Sequence, residues 1–155
     1  MSPALTASEL MSSPPITIMG DGTVEQAAEL MLEHGIGCLV VVNSEGQYEG
    51  LISERLFFPD ATGVPFMRGT TLELFGEWFG RVNDLEKVIL RSRKRLVRDV
   101  KRRDAPTASV DTTITDLSPM MVTEKINHVA VLDSGWPVGV VSRHDLLKVF
   151  TVERN

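Results

Sequence analysis

The sequence predicts an α/β (α+β) fold: two β-α-β-β-α repeats packed as a pseudo-symmetric pair, with a helical insert between them. Three observations predict it. The chain repeats itself at an offset of 90 residues, each copy carries a helical apolar pattern behind a capping signal, and each copy then carries a short β-branched apolar run. At that offset Thr17 falls on Thr107, Asp21 on Asp111, Thr23 on Thr113, Ile36 on Ile126, Val41 on Val131 and Ser44 on Ser134. Dropping one turn residue sets Gly50 on Gly139 and Ser53 on Ser142.

Each copy opens on a short extended segment, Ile16 to Ile18 and Pro106 to Val110. Thr23 and Thr113 follow as N-caps, whose hydroxyls can accept an unpaired amide at the helix start. In the first helix Val24, Ala27, Ala28, Met31 and Leu32 share one face, and Gly35 suits the C-cap. The runs Cys38 to Val42 and Val129 to Leu132 suit strands buried on both faces. Turns follow at Asn43–Gly46 and Asp133–Gly135, then strands from Tyr48 to Ile52 and Val138 to Val141. Ser53 and Ser142 open the final helices. One repeat of about 50 residues buries too little core to stand alone, so the two are expected to pack sheet to sheet.

Composition narrows the class. Of 155 residues, 43% are hydrophobic and 24% charged, as in an ordinary globule rather than a disordered chain. The single cysteine, Cys38, excludes an intrachain disulfide and a Cys-rich zinc site. No apolar run approaches membrane-spanning length, and no basic-then-apolar leader opens the chain, so a cytoplasmic location and no membrane partner are expected. The net charge of −5 conceals a basic run: residues 91–103 carry eight Lys and Arg against Asp99, a net +7.

The ordered fragments ITIMGDGTVEQAAELM, GIGCLVVVNSEG and GLISERLF, then DTTI, INHVAVLD and GVVSRHDLL, resemble a tandem pair of CBS (cystathionine β-synthase-type) domains, a Bateman-type regulatory module. The resemblance covers 8–58 and 97–150 and leaves 59–96 as a loop and amphipathic helical insert. It implies an adenosine nucleotide (AMP, ADP or ATP) as regulatory ligand in a cleft between the repeats. It also implies energy sensing without catalysis, a homodimer, and a separate protein target.

The second copy carries the chemistry for such a ligand. Ser142 stands where a strand meets a helix, where free N–H groups and the dipole would favour an anion. Asp145 offers an acceptor-only carboxylate for two ribose hydroxyls. Gly139 leaves room for a close approach. By resemblance the adenine lies between Pro106–Thr107 and the strand start at Asn127, His128 and Val129, with Arg143, His144 and His128 toward the phosphates. The first copy has Leu56 in place of Asp145, with Gly37 and Cys38 in place of Asn127 and His128, so one competent site per chain is expected.

The insert shows helical apolar spacing from Leu72 through Phe75, Trp78 and Phe79 to Leu96. The basic run reads first as a solvated helix end and linker, next as an attractor of phosphates or an acidic partner. Nucleic acid ranks last, because no aromatic residues interleave with the charges. Nor does any nucleophile, base and orienting group converge, so no enzyme is expected. The alternative to a nucleotide sensor is a dimerisation scaffold whose clefts have lost their ligands, the reading that Leu56 favours.

Overall fold

The computed structural model describes residues 5–57 and 82–151. Its elements are α1 (Ala7–Leu10), β1 (Thr17–Met19), α2 (Val24–His34), β2 (Cys38–Val42), β3 (Tyr48–Ser53) and α3 (Glu54–Phe57). Then come α4 (Val82–Ser92), α5 (Val97–Val100), β4 (Thr107–Ser109), α6 (Ile114–Thr123), β5 (His128–Asp133), β6 (Trp136–Ser142) and a 3-10 helix (Asp145–Phe150). The expected insert residues from Leu72 to Phe79 lie outside the described part.

Two three-stranded sheets form, in the orders β1-β2-β3 and β4-β5-β6. Each pairs its first two strands parallel and its last two antiparallel, with a bulge at Val41/Val42 in one and at Val131/Leu132 in the other. These registers coincide at an offset of 90 for the first two strands and 89 for the third, so the repeat in the sequence is a repeat in the hydrogen bonding. All five residues of β2 are buried, as the continuous apolar run requires. Leu39 and Val41 pack with α2, while Cys38, Val40 and Val42 turn to the other face and meet Ala130 of the second sheet. Sheet therefore packs on sheet through a small central layer that includes Tyr48, Leu132 and Val140.

Capping is unequal. The Thr23 hydroxyl accepts from the Gln26 amide at 3.2 Å, and Gly35 ends α2 in the left-handed region (φ 62°). Thr113, expected to do the same for α6, instead donates its hydroxyl to Asp116 at 3.4 Å. Leu32 also departs from expectation. It is 84% exposed, because the buried stripe of α2 is the narrower set Val24, Ala27 and Met31.

The flanks are exchanged between the halves. Helix α1 stands at the start of the first repeat, yet Leu5, Ala7 and Leu10 pack in the core of the second with Leu117, Met121, Val129 and Val131. Helix α5 stands at the start of the second repeat, yet Val97 and Val100 complete the core of the first. Each flank continues as an edge of its host sheet: Ser12 pairs with Val140, and Arg102 with Leu51. The basic run thereby lies along the first repeat, where carbonyls of Arg93 and Arg95 accept the Glu25 and Val24 amides that open α2.

Cys38 is a packing residue. Burial pushes its thiol up to about 12, so almost no thiolate exists near neutrality. Native protein is expected to be silent toward a disulfide reagent and to release one thiol per chain on unfolding. Fast labelling under native conditions would contradict this burial.

Candidate functional site

Period-two alternation decides which residues of the second sheet face the first repeat. Val129 and Val131 point into the helix-side core, so His128 and Ala130 point to the opposite, inter-sheet face. His128 pairs with Ser142, and Thr107 with Ala130, which brings Thr107, His128 and Ser142 onto that inner face. Pro106 and Asn127, both half-buried, stand at its margin. Two expected ligand residues are not on it. Val129 is fully buried among helix-side apolar residues, and Gly139, opposite Val131, lies on the same outer side. The room that Gly139 leaves is filled by the Met11 side chain and by the Ser12 carbonyl, 2.9 Å from where a Cβ would stand. A crossing chain, rather than a ligand, explains this glycine.

The first repeat closes over the same margin. At Gly37 a Cβ would crowd the Glu54 side chain (3.0 Å) and the His128 ring (3.2 Å). The Arg55 guanidinium also crosses to the Lys125 carbonyl. His128 therefore sits where the halves meet, between Glu54 of one and Asp145 of the other. Burial lowers its pKa, and the two carboxylates pull it back up. A base harder to protonate when folded binds more protons when unfolded, so stability falls as pH drops below the ordinary histidine value of about 6.5. Urea midpoints at pH 7.5 and 5.5 are expected to differ more for the native chain than for His128→Gln. An equal loss in both would remove His128 from the acid response.

Asp145 is 6% exposed and thoroughly engaged. Its Oδ2 accepts from the Ser142 amide at 2.9 Å and the Ser142 hydroxyl at 3.0 Å, while its own amide donates to Ser142 Oγ at 3.1 Å. Oδ1 takes the Ser12 hydroxyl at 3.5 Å and the Lys148 ammonium at 3.2 Å. Asp145 and Ser142 thus form a reciprocal cap. The expectation of free amides for an anion needs correction: Ser142 N and Asp145 N are used in the cap, and the Arg143 amide donates to the Asn127 carbonyl at 2.9 Å. The arrangement stays an acidic one. Arg143 and His144 are exposed. Ser12 and Lys148, which sequence reasoning missed, belong to the site.

Leu56, at the position equivalent to Asp145, packs against the first core. The basic run is partly neutralised from within: Arg93 meets Glu25 at 2.6 Å, Lys101 meets Glu49 at 3.3 Å, and Arg102 meets Asp104 at 3.3 Å. Among the described residues no cluster of three or more His, Cys, Asp or Glu could hold a metal ion, and no helix is long and apolar enough to cross a membrane.

Known proteins resemble this chain. An uncharacterized protein of Methanocaldococcus jannaschii is 28% identical over 152 residues, covering 86% of this chain and 84% of its own. The CBS domain pair of protein MJ0100, solved with 5′-methylthioadenosine and S-adenosyl-L-methionine, matches with a TM-score of 0.68 at 22% identity, over 96% of this chain and 98% of that one. CBSX2 in complex with AMP matches with a TM-score of 0.70 at 19% identity, over 96% and 99%. A family model for the CBS domain matches twice, at residues 7–56 and 97–151. Two matched repeats, two equivalent sheets and one shared central layer lead to one conclusion: the chain belongs to the CBS-domain family and is a tandem CBS pair.

Proposed function

We propose that this CBS pair is a regulatory protein that binds an adenosine ligand (AMP, ADP or ATP in the first instance) in its second repeat. It acts on a separate protein target and catalyses nothing itself. The observation that carries the reading is Asp145. Its carboxylate, whose internal partners on Oδ1 are a long hydrogen bond and a half-exposed ammonium, stands at the end of the inner sheet face beside His128 and Ser142, where a ligand lying on that face would meet it. Solved relatives of the same fold hold AMP in one case, and 5′-methylthioadenosine with S-adenosyl-L-methionine in another, which supports an adenosine moiety as the common element. Pro106, Thr107, Asn127 and His128 would border the base, and Arg143 and His144 the phosphates. Regulation follows if the ligand favours one of two conformations. The chain would act as a homodimer, for which the exposed and equivalent positions Leu32 and Val122 offer apolar surface.

A dimerisation scaffold is the second reading, favoured by Leu56 and by the internal partners of Asp145. Thermal shift with AMP, ADP, ATP, NADH and S-adenosylmethionine separates the two. A ligand at 100 times its Kd adds about 2.7 kcal/mol to stability, and Asp145→Ala should abolish that gain while Leu56→Ala retains it. No shift with any of these ligands sinks the nucleotide reading and leaves the scaffold.

A further inference from the structure

We propose that Lys148 and Ser12 form a latch: through Asp145 they hold the segment 10–12 against the second repeat, and a ribose diol arriving at Asp145 must release it. The competition with a ligand rests on the reading above; the latch itself rests on geometry alone.

An ionised carboxylate offers about four acceptor positions. Asp145 has two donors on each oxygen, so it presents no vacant position to a ligand. The two oxygens are held differently. The partners of Oδ2 come from Ser142, three residues away, and close the cap. The partners of Oδ1 are a hydroxyl 133 residues away in sequence, at the long distance of 3.5 Å, and an ammonium whose side chain is 45% exposed. Long hydrogen bonds and solvated ion pairs yield first. A diol that needs acceptor positions therefore displaces Ser12 and Lys148 before it disturbs the cap.

The displaced groups are tied to a flank. Lys148 Nζ also donates to the Leu10 carbonyl at 2.8 Å. Ser12 exchanges both main-chain hydrogen bonds with Val140, at 2.9 and 3.1 Å, and the Ser13 hydroxyl donates to the Val138 carbonyl at 2.8 Å. Leu10 itself plugs the second core. Loss of the carboxylate contacts weakens this attachment and leaves the Ser13 hydroxyl and the main-chain bonds of Ala7, Ser8 and Ser12 to hold the segment. The first repeat has no equivalent. Leu56 replaces Asp145, and Arg102 replaces Ser12 and turns instead to Asp104 and Glu124. The flank on the first repeat is fastened elsewhere, by Lys101 to Glu49 of β3 at 3.3 Å, so among the described residues the carboxylate at the end of the last strand holds a flank in the second repeat, beside the proposed ligand site.

Hydrogen–deuterium exchange and binding on the full chain test both halves, with adenosine as the probe because it brings the diol without a phosphate for Lys148 to attract. Without ligand, Lys148→Met should speed exchange at residues 10–12 by about tenfold, with Ser12→Ala giving a smaller change and β2 none. Unchanged exchange in both variants overturns the latch. Adenosine should speed exchange of the same residues in the native chain and bind Lys148→Met several-fold more tightly. Slower exchange on binding, or equal or weaker binding by the variant, overturns the competition. If neither chain binds adenosine or any nucleotide tested above, the functional reading falls and the competition with it, while the ligand-free exchange still decides the latch.

Discussion

Leu10→Ala is expected to destabilise the chain far more than its place near one end of the sequence suggests. Leu10 is 1% exposed and lies among Leu117, Met121, Val129 and Val141 of the second repeat. Truncating a fully buried leucine costs about 2–5 kcal/mol, the spread reflecting how far the site can collapse. Collapse is hindered here, because α1 is pinned by main-chain bonds from Ala7 to Thr112, Ser8 to Val110 and Ser12 to Val140. At roughly 2–4 °C per kcal/mol for a chain of this size, Tm should fall by about 4–20 °C. Leu32→Ala is the control: its side chain is 84% exposed, and a surface change away from special features stays within about 0.5 kcal/mol. The exchange of flanks adds a second expectation. Val97 and Val100 complete the first core while Leu10 completes the second, so neither half keeps its core if the other unfolds. Leu10→Ala should therefore shift one cooperative transition rather than split it. Two separated transitions, or a Tm unchanged within error, would contradict the exchange.

The order of strands and helices was legible because the patterns that specify it are local. The continuous run Cys38–Val42 has to be buried on both faces, and Gly35 has to take the left-handed region that ends α2. The exchange was not legible, for a physical reason. A four-residue helix with one buried pair, Ala7 and Leu10 or Val97 and Val100, fits either core, and the repeat aligns Leu10 with Val100 without saying which core each enters. The site divided in the same way. Ser142 and Asp145 are three residues apart, and their cap could be read from the spacing. Ser12 reaches Asp145 across 133 residues of sequence, and no local pattern announces it. Gly139 was noticed for the right property, a missing side chain, and assigned to the wrong neighbour, because the chain that crosses it comes from the exchanged flank.

That crossing makes Gly50→Ala the second severe substitution, and Gly139→Ala its informative partner. The two glycines are equivalent in the repeat and lie where Arg102 and Ser12 cross their host sheets. At Gly50 an added Cβ would stand 2.6 Å from the Arg102 carbonyl oxygen, a backbone atom that cannot swing aside. Arg102 is held there by paired main-chain bonds with the next residue, Leu51 N to Arg102 O at 3.1 Å and Arg102 N to Leu51 O at 2.7 Å. Gly50 also has φ +150°, which an L side chain adopts only under strain of about 1–3 kcal/mol. Relief requires moving the crossing chain, and Val97 and Val100 with it, out of the first core. A total loss of about 3–5 kcal/mol is expected, in the class of substitutions with a named severe mechanism. At Gly139 the nearest obstruction is the Met11 side chain, which can rotate, followed by Ser12 O at 2.9 Å, and φ carries no such strain. Gly139→Ala should therefore cost less than Gly50→Ala while loosening the flank that Lys148 fastens, so its mark is faster exchange at residues 11–12 at a modest loss in Tm. If Gly139→Ala left that exchange untouched and removed only ligand binding, the glycine would serve the ligand after all, and the packing account of both crossings would have to be abandoned.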